Sequence, residues 1–131
     1  MKQKFSSGWI RSKQPRKQRK YRLNAPMHIK KNFLSAHLSK DLRKKHSARS
    51  IFLKKGDKVK VMRGQFRKKI GTVDRIDLQN SKAYVTGIET VKKDGSKIMY
   101  PLQPSNLMIT DLKLDDKKRQ KMLDRKKKKV K

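Results

Sequence analysis

The sequence contains no cysteine, and this absence excludes disulfide bonds, thiolate zinc sites and cysteine nucleophiles. Long hydrophobic runs are also missing, since none approaches the length of about eighteen apolar residues that indicates a membrane-spanning helix. The first ten residues lack the apolar region of a secretory signal peptide. We therefore expect a cytosolic protein, with the nucleus as the alternative location, and no membrane partner.

Acidic residues are scarce. The sequence has 10 Asp and Glu against 40 Lys and Arg, so the net charge of the 131 residues is +30. Residues 1–50 carry 16 cations and 1 anion, residues 51–110 carry 13 and 5, and residues 111–131 carry 11 and 4. A charge of this size needs a polyanion to neutralise it, which indicates a nucleic acid as the partner.

Hydrophobic residues make up only 33% of the sequence, and those with strand periodicity concentrate in residues 51–110. A segment of about sixty residues is near the lower limit for an independently folding core. We therefore divide the chain into a basic N-terminal extension (residues 1–50), a small folded domain (51–110) and a basic C-terminal helix and tail (111–131). Without a bound polyanion, both flanking segments are expected to be largely disordered.

The folded domain is centred on two predicted strands joined by a basic loop. Val59 and Val61 alternate with polar neighbours, which is the two-residue period of a strand with one buried face. Residues 63–69 interrupt this pattern with a glycine and four cations before a second strand begins. Gly64 can supply a positive φ at the loop entry, and Gly71 permits close backbone approach or a sharp bend. The pattern predicts four cations held at one place on the rim of a small sheet, which favours nucleic-acid binding.

Further strands follow this pair. Residues 83–91 are rich in β-forming residues, a turn at Asp94 and Gly95 leads into residues 97–100, and residues 106–110 form a last short strand. Five or six short strands, spaced about ten residues apart, predict a mainly β protein with a small SH3-like barrel. The expected core consists of Val59, Val61, Val73, Ile76, Val85, Ile88, Ile98, Leu107 and Ile109.

The N-terminal extension is predicted to contain an arm and two short helices. Residues 1–25 are basic and show no periodic apolar face, so an extended arm in an RNA groove is expected. Asn24 or Ala25 lies near the cap of a first helix, with Pro26 tolerated in its first turn. Ser39 can cap a second helix. Both helices are too short to be stable alone and need a surface to pack on.

The C-terminal tail begins with an acidic pair, Asp115 and Asp116. Either residue can cap a helix that runs to about Lys127. A paired carboxylate can also serve acid–base catalysis or metal binding, but six cations in the following ten residues favour helix capping and charge pairing. Residues 126–129 form a like-charge block that is expected to stay mobile unless RNA binds it.

Few other residues are candidates for metal binding, base stacking or catalysis. The sequence has three histidines, His28, His37 and His46, but without cysteine and with one acid in the first fifty residues a zinc site is disfavoured. Tyr21 lies among five cations and is available to stack on a base, although a solvated tail or a nuclear-localisation-like patch is the alternative. No motif activates a nucleophile, so we expect no enzyme activity, metal, cofactor or small-molecule substrate.

The central stretch resembles the KOW motif, in which two alternating valines are followed by a glycine, a basic pair, and then a glycine, any residue and a valine. The matching positions are Val59, Val61, Gly64, Arg67, Gly71 and Val73. The family usually has a glycine where this chain has Lys68, so a positive φ at that position would strain the lysine mildly. Ribosomal proteins and transcription elongation factors both use the motif.

The segments flanking the motif carry a second resemblance, at residues 15–20, 24–28, 34–36, 38–43, 49–50, 104–106 and 112–115. They closely resemble the universal ribosomal protein twenty-four family of the large subunit, whose eukaryotic member is called large-subunit protein twenty-six. The match runs from about Ser12 to Lys121, and the long N-terminal extension is similar to the archaeal and eukaryotic branch.

This resemblance implies a structural protein of the cytoplasmic ribosome that binds the 5′ domain of the large-subunit rRNA early in assembly, near the mouth of the nascent-chain exit tunnel. The implied partners are this rRNA and neighbouring large-subunit proteins, with no homo-oligomer. A KOW-type transcription elongation factor, or another general nucleic-acid-binding protein, is the alternative, but the first would carry a globular α/β domain ahead of the motif.

The residues expected to contact RNA are basic, polar or aromatic, and they lie in the arm, the two short helices, the basic loop and the turn before the last strand. They are Arg16, Lys17, Arg19, Lys20, Tyr21, Arg22, His28, Lys30, Lys31, Arg43, Lys44, Arg49, Arg63, Gly64, Gln65, Arg67, Lys68, Lys69, Ser105 and Asn106.

Overall fold

A computed structural model describes residues 5–9 and 11–130 of the chain. The helices are α1 (Pro15–Asn24), α2 (Met27–Phe33), α3 (Lys40–His46) and α4 (Lys117–Val130), with a 3₁₀ turn at Pro104–Asn106. The strands are β1 (Ser35–Leu38), β2 (Ser50–Phe52), β3 (Lys58–Val61), β4 (Ile70–Asp77), β5 (Lys82–Val85), β6 (Glu89–Val91), β7 (Lys97–Met99) and β8 (Leu107–Asp111). No helix of the described ranges is long and apolar enough to cross a membrane.

Six strands form one mixed sheet in the order β2-β1-β8-β3-β4-β5, and β6 pairs with β7 in a separate hairpin. Strand β1 runs parallel to β8, whereas the other pairs in the sheet are antiparallel. The register shifts within the β3–β8 and β4–β5 pairs, and such bulges help a small sheet to curve. The prediction of a mainly β protein with a small barrel-like sheet and helices at both ends is therefore confirmed.

The core lies on the inner face of this sheet. Of the predicted core residues, seven are buried: Val59, Val61, Val73, Val85, Ile88, Leu107 and Ile109. Ile76 is only partly buried against them. The prediction for Ile98 was wrong, because the β6–β7 hairpin that carries it pairs with itself outside the main sheet and leaves this side chain 43% exposed.

The N-terminal extension contributes strand β1 and the first residue of β2, and neither strand was predicted from the sequence. In β1, Ala36 and Leu38 point into the core, while His37 between them is exposed. The backbone of β1 pairs with β2 on one side and with β8 on the other. This segment of the basic extension is thus a central strand of the sheet. The division of the chain at residue 50 stays a prediction.

The arm was predicted to be extended, and this was wrong for residues 15–24, which form helix α1. Pro15 is its first residue, where the missing N–H costs nothing and the fixed φ suits a helix. None of the residues of α1 is buried. One of its attachments is Tyr21, whose ring centroid lies 5.0 Å from that of Phe5 and 6.3 Å from that of Phe33.

The two short helices of the extension are present. Helix α2 begins at Met27, with Pro26 at the cap position, one or two residues later than predicted. Helix α3 is capped as predicted, because the Ser39 hydroxyl accepts a hydrogen bond of 3.4 Å from the Leu42 amide. The chain leaves α3 through Ser47, which has a positive φ of 49°.

Helix α4 is capped by Asp116, whose Oδ1 accepts a 2.8 Å hydrogen bond from the Lys118 amide. The helix continues to Val130, so the predicted end near Lys127 was too early, and residues 126–129 belong to the helix. Leu123 is 2% exposed and joins the core, which attaches the helix to the sheet.

A buried ion pair fixes the start of α4 as well. Arg119 donates 2.7 Å hydrogen bonds to both carboxylate oxygens of Asp57, and both side chains are at most 4% exposed. The guanidinium also donates to the carbonyls of Phe52 and Lys113, at 2.9 Å each. Asp57 accepts further bonds from the amides of Lys54 and Lys113. The pair therefore ties the turn before β3 to the C-terminal helix.

Candidate nucleic-acid interface

The basic loop, defined as residues 63–69, is closed by short backbone hydrogen bonds. The Val61 amide donates to the Lys69 carbonyl and the Lys68 amide donates to the Val61 carbonyl, each at 2.9 Å. Inside the loop, the Arg67 amide donates to the Gly64 carbonyl at 3.1 Å. The loop backbone is thus held by strand β3 and by its own turn, which fixes where its side chains leave the sheet.

Two positions in the loop have a positive φ. Gly64 has a φ of 95°, as predicted from its place at the loop entry. Lys68 has a φ of 74°, at the position where the KOW family usually has glycine. A positive φ strains the backbone of a lysine. The strain expected at Lys68 from the KOW motif is therefore present.

All four cations of the loop are exposed: Arg63, Arg67, Lys68 and Lys69. Within the part of the chain that the structure describes, none of them is in a salt bridge. The ion pairs among the described residues instead use Lys54, Lys55, Lys58, Lys113 and Arg119. The loop therefore presents four uncompensated charges from a fixed backbone.

Phe66 anchors the loop, a role that the sequence analysis missed. Its ring is half-buried, packs against the core and meets the ring of Tyr100 at a centroid distance of 5.1 Å in an edge-to-face arrangement. The Lys69 ammonium lies 5.2 Å from the centre of the Phe66 ring. The signal was available, because Phe66 is the one apolar side chain among the seven residues of the loop.

Gly71 lies just beyond the loop, in β4, opposite Val59 of β3. A β-carbon on Gly71 would lie 2.5 Å from the carbonyl oxygen of Thr86 and 2.6 Å from Cγ1 of Val85. The predicted close approach of backbone is therefore present, and its partner is the chain at the end of β5.

The cations of α1 form a second basic surface. Arg16, Lys17, Arg19, Lys20 and Arg22 are all exposed. Two of them lie over aromatic rings of the extension, with Lys17 5.8 Å from the Trp9 ring and Arg22 5.0 Å from the Phe33 ring. The Tyr21 ring packs between Phe5 and Phe33, so its proposed stacking on a base would have to use the part of the ring left exposed.

Some of the remaining residues predicted to contact RNA are exposed, and others already form hydrogen bonds within the protein. His28, Lys31, Lys44, Arg49, Gln65 and Ser105 are exposed. Lys30 is 7% exposed and its ammonium donates to the Gln79 carbonyl at 3.4 Å, which favours a structural role. Arg43 is half-buried and donates through Nε to the Leu38 carbonyl at 2.8 Å. The Asn106 carbonyl accepts the Met62 amide at 2.8 Å beside the basic loop.

The acidic pair, Asp115 and Asp116, serves the fold. No cluster of three His, Asp or Glu side chains suited to a metal ion occurs among the described residues. Asp116 pairs with Lys54, and this contact, together with the Lys118 amide, holds the pKa of Asp116 below its usual range. Asp115 pairs with Lys113 at 3.4 Å. The acidic pair thus takes part in capping and charge pairing.

Comparison with known proteins places the chain in a family. Residues 12–126 match the family of ribosomal proteins that comprises the eukaryotic L26 proteins and their archaeal L24 counterparts. The chain belongs to this family. It is 47% identical over 115 residues to "Large ribosomal subunit protein uL24" of Methanosphaera stadtmanae, covering 88% of this chain and 98% of the relative. The protein of the same name from Methanothrix thermoacetophila is 48% identical over 114 residues, covering 87% of this chain and 98% of that relative.

The family consists of ribosomal structural proteins and is not a class of enzymes. The features that this chain offers are exposed cations on a fixed loop, a basic helix and aromatic anchors, which suit contact with a polyanion.

Proposed function

We propose that this protein is a structural component of the large ribosomal subunit that binds the 5′ domain of large-subunit rRNA during assembly, near the mouth of the nascent-chain exit tunnel, and that it is located in the cytoplasm as part of the ribosome. The observation that carries the RNA-binding part is the basic loop: four exposed cations without ion-pair partners in the described structure, on a backbone closed by two 2.9 Å hydrogen bonds. Family membership supports the ribosomal part.

The proposed mechanism is recognition of the RNA backbone. A closed loop loses little conformational entropy when its cations meet phosphates, because the backbone is already ordered. Each neutralised phosphate releases counterions, and the cations of α1 would do the same on a neighbouring RNA helix. Together these two surfaces would offset the repulsion between RNA helices that the subunit brings close together.

Selectivity in this scheme comes from RNA shape. Side chains cannot read the deep, narrow major groove of an RNA helix, so a protein of this kind recognises backbone geometry and splayed bases. The loop carries one amide side chain, Gln65, that can contact a base edge or a ribose hydroxyl. Neighbouring large-subunit proteins are the other proposed partners, and no homo-oligomer is expected.

The test reverses three charges of the loop. The triple variant Arg67→Glu, Lys68→Glu and Lys69→Glu should bind a transcribed 5′-domain fragment much more weakly than the unmodified protein, and the slope of log affinity against log salt should fall by nearly one for each lost phosphate contact. The control variant Lys92→Glu, Lys93→Glu and Lys97→Glu changes the net charge equally at exposed positions of the β6–β7 hairpin.

The difference in RNA affinity between the loop variant and the control variant shows whether the basic loop is a specific contact. Filter binding and a salt titration measure affinity, and circular dichroism checks that both variants fold. Equal losses in the two variants would show that only net charge matters and would reject the loop as a specific contact. Unchanged affinity in the loop variant would reject it as well.

A further inference from the structure

A cleft of about 410 Å³, including the space open to solvent, lies where α2, the segment after β2 and α4 meet. Its floor is apolar and comes from Phe52, Leu53 and Met122. Its rim is basic and comes from Lys31, Lys54 and Lys118. Because the cleft is open on one side, it suits a single flat group that lies on the floor and reaches the rim.

Two charges of the rim are free to meet an anion. Lys54 is paired with Asp116, so these two charges compensate each other. Arg119 also faces the cleft, but Asp57 and two backbone carbonyls already take up its guanidinium. Lys31 and Lys118 are exposed and form no ion pair among the described residues. The cleft thus has a net positive rim.

The floor offers a surface for a flat apolar group. Phe52 is half-buried, and the Lys31 ammonium lies 5.5 Å from the centre of its ring. Cations combined with aromatic and apolar side chains are the chemistry by which proteins hold unstacked nucleotides, with the base on the apolar surface and the phosphate on the cations. An acidic peptide would satisfy the rim but would leave the floor without an apolar partner.

The cleft is organised before any ligand arrives. Arg119 holds the Phe52 carbonyl at 2.9 Å and Asp57 at 2.7 Å, so the floor and the α4 wall keep one relative position. The cap of Asp116 on the Lys118 amide fixes the first turn of the helix on the rim. A site with both walls fixed loses little entropy on binding.

We propose that this cleft holds one unstacked nucleotide of the RNA, with its base against Phe52, Leu53 and Met122 and its phosphate between Lys31 and Lys118. This inference rests on the proposed RNA-binding function. It adds a base-accepting site to which the N-terminal extension and the C-terminal helix both contribute residues. The site uses different residues from the basic loop, so the two can be tested separately.

The probe is a six-nucleotide uridine oligoribonucleotide, which stacks weakly on itself and so offers unstacked bases. Nuclear magnetic resonance of the full chain should show the Met122 methyl signal and the Phe52 ring signals moving as the probe is added. The variants Lys31→Glu and Lys118→Glu each replace a proposed phosphate contact by a carboxylate that repels the phosphate, and each should weaken binding of the probe by about tenfold.

Lys117→Glu is the matched control, because Lys117 is exposed, adjoins Lys118 on α4 and does not line the cleft. It should weaken binding far less than Lys118→Glu. Equal losses in the two variants would overturn the cleft as a site, and so would unmoved Met122 and Phe52 signals. A larger Met122 shift with a hexaglutamate peptide than with the oligoribonucleotide would overturn the choice of ligand.

Binding of the 5′-domain fragment separates this inference from the proposed function. If the unmodified protein fails to bind that fragment, the proposed function fails. If it binds, and only the Met122 and Phe52 signals stay unmoved, the cleft fails while the proposed function stands.

Discussion

At the scale of single residues, Gly71 shows how the loop depends on the sheet behind it. The space that a β-carbon would need is taken by the Thr86 carbonyl and the Val85 side chain. The residue next to it, Ile70, is 64% exposed. One position in β4 is therefore closed to any side chain, while its neighbour is open.

We expect Gly71→Val to lower the free energy of unfolding of the RNA-free protein by roughly 1–3 kcal/mol, because strand β4 or the chain at Thr86 must shift to admit the side chain. Thermal unfolding measures the change, and Ile70→Val in the same strand is the control, with little expected effect. A melting temperature equal to that of the unmodified protein, together with lost RNA affinity, would instead assign Gly71 to the interface.

The pair of Asp57 and Arg119 is the second decisive contact at this scale. Removing one partner of a buried ion pair leaves the other charge without compensation, which costs about 3–5 kcal/mol. The stability of a small domain is about 5–15 kcal/mol, so this loss is a large fraction of the total.

Arg119→Ala is therefore expected to destabilise the protein by about 3–5 kcal/mol in urea unfolding. Lys118→Ala, one residue away and exposed, should change stability by less than about 0.5 kcal/mol. A double-mutant cycle with Asp57→Ala isolates the coupling between the two side chains. Additive losses in the double variant would show that the pair is not coupled.

At the scale of elements, the sequence predicts the sheet around β3, β4 and β8 well. Alternating valines, a loop with glycine and a closing turn are local signals, and seven of the nine predicted core residues are buried. The caps of α3 and α4 were also predicted, because a serine or aspartate cap needs only its own next few residues.

Elements that depend on distant partners were missed. Strand β1 contains only four residues in a basic segment, and it exists because its backbone pairs with β8, some seventy positions away. The attachment of α4 through Arg119 was missed for the same reason. Arg119 is one of eleven cations in the C-terminal tail, and its neighbours in the sequence do not indicate that it pairs with the buried Asp57. For the candidate site, the loop cations followed from sequence, whereas the anchoring role of Phe66 required the position of Tyr100.

Helices α3 and α4 meet at His46, a residue whose side chain titrates. His46 is 6% exposed, and burial lowers the pKa of its imidazole below the ordinary value of 6.5. Lys127 and Lys45 lower the pKa further, while Asp124 opposes them. Protonation of His46 therefore favours the unfolded chain.

Stability from this group should be fully present above about pH 6.5 and should be lost as the pH falls through 6.5 toward the lowered pKa of the folded state. Melting temperatures between pH 8 and pH 5 measure the effect, and His46→Gln should flatten the profile. His28→Gln, at an exposed histidine, should leave it as in the unmodified protein. An unchanged slope in His46→Gln would assign the pH dependence to other groups.

At the scale of the whole molecule, a net charge of +30 acts against compact structure wherever the cations lack partners. Helix α1 shows this most clearly. It has five cations, no acid and no buried residue, and Arg16 and Lys20 repel each other at a spacing of four positions. Helix α4 is also strongly basic but has Arg119 and Leu123 in the interior. The two helices thus differ in what holds them without RNA.

Amide hydrogen exchange on the free protein should therefore give three classes. The strands β1, β3 and β8 exchange slowly, the first two turns of α4 exchange at an intermediate rate, and α1 exchanges rapidly because its opening exposes no core. Adding the 5′-domain fragment should slow α1, since phosphates would remove the repulsion between its cations. Poly-glutamate of similar charge is the control for screening alone. Slow exchange of α1 without RNA would show that tertiary contacts are sufficient to hold this helix, and rates unchanged by the fragment would exclude α1 from the interface.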